Sequence, residues 1–182
     1  MENPKIKIFK QLGVDLIKRG QWFLNKAFGI KTVTITKDEL ASAVMEVTGL
    51  PRNKIALHDE QYYLTDWKVW KDIFKYDWTN HKKYLTDKYD CDNFAESFKS
   101  RAAEIYGLNS AGRLSVQLVN PNTGKHIGYH RANVLIALEE GNIVVYAYDP
   151  MEKMLDKWCL INKGQPIIIK NWQYLPKFIA FN

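Results

Sequence analysis

Apolar side chains recur at near-helical spacing in the first 30 residues. Ile6, Phe9, Leu12, Leu16, Phe23 and Phe28 alternate with Lys5, Lys7, Lys10, Lys18 and Arg19. This pattern predicts an amphipathic helix within residues 1–30, of the kind that docks over a domain more often than it lies on a membrane. A short strand is expected over residues 32–35. Thr36-Lys37-Asp38-Glu39 then has the form of a capping box, opening a helix through Val47 that stops before Gly49 and Pro51. Residues 62–90 are dense in aromatics, and Trp67, Trp70 and Phe74 fall at i, i+3 and i+7, which predicts a helix with a core-facing stripe. Spacing leaves open whether Trp78 lines a groove. Strand patterns follow over 113–119, 129–138, 143–148, 166–170 and 177–181. Turn chemistry separates them at Asn120-Pro121-Asn122-Thr123-Gly124 and at Gly141-Asn142. A helical front half followed by tightly turned strands predicts an α+β fold with an antiparallel sheet, built as one domain over residues 1–182.

Composition narrows the function classes. With 46% hydrophobic and 25% charged residues the chain reads as an ordinary globular protein. No apolar run approaches the roughly 20 residues of a membrane span. The N-terminus has no apolar signal region, so the expected location is cytoplasmic. Two cysteines make no disulfide framework, and with scattered histidines they give no zinc spacing. The net charge of +6 is spread over lysines interleaved with acids, so no nucleic-acid partner is expected. Oligomeric state is not legible.

Cys91 is the candidate nucleophile. Asp90 suits an N-cap, which places Cys91 in the first turn of a helix running to about Tyr106, where unpaired N–H groups and the helix dipole favour a thiolate. It also continues the apolar stripe of Phe94, Phe98, Ala102 and Ile105, and fits equally as a small core residue. Pairing parity supplies the partners. A two-residue turn at Glu140-Gly141 or Gly141-Asn142 puts His130 and Asp149 on one otherwise apolar sheet face. The first of these turns sets Asp149 opposite Ala132, one diagonal step from His130. A carboxylate on one imidazole nitrogen fixes the tautomer and leaves the other nitrogen for a thiol. A buried structural His–Asp pair would satisfy the same parity. His126 is the reserve base, Asn133 falls on the opposite face, and Cys159 reads as a half-buried strand residue.

Tyr89-Asp90-Cys91-Asp92-Asn93-Phe94-Ala95 resembles the Asp-Cys-Asp-Asp-Phe-Ala signature of bacterial transglutaminase-like cysteine proteinases. It is similar also to the papain-like C-terminal domain of the Marasmius oreades agglutinin and its relatives. His130-Arg131-Ala132-Asn133 and Tyr148-Asp149-Pro150 resemble the strands that supply the other two triad members there. The resemblance implies a papain-like or transglutaminase-like fold and a thiol-dependent acyl-transfer enzyme, a cysteine peptidase, deamidase or transamidase acting on a peptide or protein. In it Cys91 attacks, His130 is base and then acid, and Asp149 orients His130. The alternative is an inactive module of the same fold that binds a protein partner. Asn93 and Arg131-Ala132 depart from the family pattern. No cofactor is expected from the residues. Calcium enters only through the agglutinin-like relatives, with Asp90, Asp92 and Glu96 as the acids at hand.

Overall fold

The computed structural model describes residues 12, 20, 29–77, 79–151 and 157–181. The helix expected within residues 1–30 lies almost wholly outside the described residues, and so does Trp78.

The described chain opens with β1 (Val33–Thr36), α1 (Lys37–Thr48), β2 (Ile55–Leu57) and β3 (Gln61–Leu64). The capping box forms as its chemistry dictates. The Thr36 N–H donates to Glu39 Oε2 at 2.7 Å, and the Glu39 N–H donates back to Thr36 Oγ1 at 3.3 Å. Gly49 ends α1 at φ 70°, in the left-handed region that favours glycine. Then come α2 (Trp67–Tyr76), α3 (Cys91–Tyr106), β4 (Ala111–Val119), β5 (His126–Glu139) and β6 (Asn142–Tyr148), and finally β7 (Trp158–Leu160), β8 (Ile167–Ile169) and β9 (Trp172–Phe181).

Seven strands form the central sheet in the order β2-β9-β4-β5-β6-β7, with β8 also paired to β9. β1 and β3 make a separate antiparallel ladder. The sheet is covered on both faces, which explains the continuous apolar run in β5. One face packs Ala132, Val134, Ile136, Val145 and Ala147 against Leu40 and Val44 of α1 and against Ile35, Tyr62 and Leu64. The other packs Leu135, Ala137, Tyr146 and Tyr148 against Trp67, Trp70 and Phe74 of α2 and Phe98 of α3.

This architecture corrects the expected fold class. Among the described residues the front half is not simply helical: beside α1 and α2 it carries three strands, of which only the first was expected, and nine strands stand against three α-helices in all. Nor is the sheet wholly antiparallel, since β2 runs parallel to β9, with Ile55 beside Ile179. The two strands that were not expected, β2 and β3, have three and four residues and show no readable alternation in the sequence. They take their state from distant partners rather than from local pattern.

Candidate functional site

β6 pairs with β5 only as far as Asn133↔Tyr148, whereas β4 stays paired with β5 down to His126. Residues 126–132 of β5 therefore have a strand on one side only, and α3 begins beside the open edge. The start of α3 is fixed by the Asp90 N–H, which donates to Asn93 Oδ1 at 3.2 Å, and by the Phe94 N–H, which donates to Asp90 O at 3.1 Å. Further along, buried Asn133 ties the helix to the sheet. Its Nδ2 donates to Ala95 O at 2.9 Å and to Gly112 O at 3.1 Å.

Three residues singled out in the sequence meet at this edge. His130 Nε2 lies 2.7 Å from Asp149 Oδ2, with side chains only 12% and 3% exposed. Occupation of Nε2 leaves Nδ1 as the ring nitrogen for a thiol. A hydrogen bond with His130 is the largest influence on Cys91 and lowers its thiol pKa against the opposing effect of burial. The backbone N–H of Arg131 adds a second donor to the sulfur. Burial alone would depress the His130 pKa, but the hydrogen bonds and charges of Asp149 and Cys91 outweigh it and raise the imidazole to about 9. For Asp149, burial pushes upward and is overcome by the bond and charge of His130, by Tyr174 and by the Met151 N–H, so its carboxyl lies below the usual value. All three directions favour the charged forms, a thiolate beside an imidazolium beside a carboxylate.

The rim of the site is polar. Arg131 Nη1 bonds Asp92 Oδ2 at 3.0 Å across the start of α3. Asp90 and Asp92 share a hydrogen bond that raises the first carboxyl and lowers the second. A cleft of about 420 Å³ opens over Cys91 and His130, flanked by Tyr129, Arg131, Ser115 and Lys177. A larger groove of about 1050 Å³ lies between the end of α1 and β8–β9, and its lining includes none of Cys91, His130 and Asp149.

The remaining candidates stay apart. His126 is exposed and bonds the Gly128 carbonyl at 3.1 Å. Cys159, half-buried on β7, contacts Leu160 O at 3.4 Å. Of the acids offered for calcium, Asp92 is engaged by Arg131, and Glu96 by Lys99 at 3.0 Å and Arg113 at 3.4 Å. Among the described residues no group of three or more His, Cys, Asp or Glu could hold a metal, and no metal site is assigned.

Sequence reasoning missed Tyr174. Its hydroxyl donates to Asp149 Oδ2 at 2.8 Å, and its ring stands edge-on to His130 with centroids 5.8 Å apart. The expected last strand covered 177–181 and began beyond it, just after Pro176, which cannot donate to a ladder. β9 in fact runs through Pro176 from Trp172.

No protein-family model matches the chain, and no curated protein matches it significantly. It is similar to solved structures, two of which follow. One is described as a PSL1a-E64 complex, with a TM-score of 0.54 and 19% identity, covering 81% of this chain and 51% of that one. The other is Polyporus squamosus lectin bound to the human-type influenza-binding epitope Neu5Aca2-6Galb1-4GlcNAc, with a TM-score of 0.54 and 18% identity, covering 81% and 49%. The chain thus spans about half the length of the structures it matches, and at this identity the likeness shows the fold alone.

These findings correct the family expectation. The fold is shared with structures named for a lectin, neither of which is described as a transglutaminase-like cysteine proteinase. The likeness places the chain neither in that superfamily nor among acyl-transfer enzymes, and it supports neither a peptide or protein substrate nor an inactive protein-binding module. The ligand bound in the second structure is a glycan, not a peptide.

Proposed function

We propose that Cys91, His130 and Asp149 form a nucleophilic-thiol site. Cys91 Sγ is the atom that bonds an electrophilic ligand, His130 holds the proton, and Asp149 orients and charges the imidazole. The observation that carries this reading is His130, held between the Asp149 carboxylate at 2.7 Å and the Cys91 thiol with its side chain only 12% exposed, in the lining of an open cleft. An imidazolium beside the sulfur keeps it ionised at a pH where an ordinary thiol, with pKa ~8.5, is protonated. With an epoxide, attack forms an S–C bond and breaks a C–O bond, and the alkoxide takes its proton from His130.

The test treats native protein at pH 6 with iodoacetamide or the epoxide E64 and maps the adducts by mass spectrometry. Cys91 is expected to be labelled well ahead of Cys159, although both are half-buried. Equal labelling of the two, at the rate of a free thiol, would remove the reading.

A second reading, glycan binding, rests on one observation, the sialylated epitope bound in a structure of the same fold. The match covers 49% of that chain, so the glycan's contacts are not located by the likeness. Titration of Neu5Aca2-6Galb1-4GlcNAc into the ¹⁵N-labelled protein discriminates. Saturable shifts support this reading, and a flat spectrum at millimolar glycan ends it.

A further inference from the structure

We infer that Tyr174 is a positioning residue of the thiol site: from β9, its hydroxyl pins Oδ2 of Asp149 against His130, while its ring walls the imidazole edge-on. The inference rests on the nucleophilic-thiol reading and adds a fourth member to it.

Asp149 stands just past the end of β6, where its backbone N–H donates to Lys157 O at 2.7 Å and leaves the rotation of the carboxylate to its side-chain partners. Its two oxygens are used unequally. Oδ1 accepts the Met151 N–H at 3.0 Å, which closes the local turn. Oδ2 accepts from His130 at 2.7 Å and from Tyr174 at 2.8 Å, so the strand on the far side of β4 sets the carboxylate's rotation. Tyr174 is only 3% exposed, and a donor so placed serves the ionised carboxylate at neutral pH and not its protonated form.

The titratable groups around this line are few. Tyr148, which donates its hydroxyl to Asp77 at 2.9 Å, precedes Asp149 in β6. Asp90 and Asp92 at the head of α3, Arg131 of β5 and Lys177 of β9 face the sulfur from the cleft. Among the described residues, His130 and Tyr174 are the side chains bonded to Asp149.

Tyr174→Phe keeps the ring and removes the hydroxyl. Asp149 then takes up a proton more readily, and the charge that holds the imidazolium is lost at a higher pH. The acid limb of Cys91 alkylation by iodoacetamide is expected to move upward by about one pH unit, as loss of one hydrogen bond to a charged group implies. A lowered melting temperature with an unmoved acid limb would reduce Tyr174 to a packing residue and overturn the inference. That outcome differs from failure of the thiol reading itself, in which the wild-type protein has no acid limb below the range of a free thiol. Wild-type NMR gives an independent check: the Tyr174 hydroxyl proton should be protected from exchange at pH 7, and free exchange there overturns the inference too.

Discussion

Replacing His130 by alanine slows iodoacetamide labelling of Cys91 at pH 6 by roughly 10–50-fold. The size follows from two opposed effects. A free thiol of pKa ~8.5 is thiolate in only about 0.3% of molecules at pH 6, so losing the imidazolium can cut the reactive fraction by up to about 300-fold. Each thiolate that remains is more nucleophilic, with a Brønsted slope of about 0.4–0.5, which restores roughly tenfold. The hydrogen bond with His130 is the largest influence on the thiol, so its removal should dominate any smaller loss from the Arg131 N–H. The comparison is made on folded variant, verified by its thermal transition, because Asp149 is left buried without its cation. An unchanged rate would mean that Cys91 reacts as an isolated cysteine.

Trp70→Ala is expected to lower the unfolding free energy by about 3–5 kcal/mol, read from the urea midpoint. Trp70 is fully buried, with ring centroids 6.4 Å from Phe74 and 6.2 Å from Phe98. It fills the layer between α2, α3 and the sheet, and neighbours on three elements cannot all collapse into the space left. A loss under about 1 kcal/mol would contradict the packing described for this face. The same layer seats α3, so the variant should also slow Cys91 labelling if the helix start shifts.

The candidate site was legible where local geometry decided it. Glu140 and Gly141 take φ of 51° and 82°, the two-residue turn that matches strand twist, and this fixes the register with Tyr148 opposite Asn133. From that register the meeting of His130 and Asp149 follows by parity. Capping chemistry likewise located the start of α1 at Thr36 and of α3 at Cys91. What escaped the sequence depends on distant pairing. The parallel contact of Ile55–Leu57 with β9, the open edge that frees the Arg131 N–H, and the approach of Tyr174 from β9 to Asp149 all join segments with no local signal for one another. The family expectation failed for another reason. It rested on short motifs around Cys91, His130 and Asp149, whereas the fold is shared with structures named for a lectin, at an identity that carries no activity with it. The helical front half failed because Ile55–Leu57 and Gln61–Leu64 are too short to reveal alternation.

The ion pair at Cys91 and His130 is tested most directly by thiolate absorbance near 240 nm, titrated from pH 4 to pH 10 and corrected with Cys91→Ser. The difference spectrum is predicted to show a thiolate already formed at pH 6–7, because His130 remains protonated up to about 9. A difference signal that appears only with a midpoint near 8.5, the value of a free thiol, would contradict it.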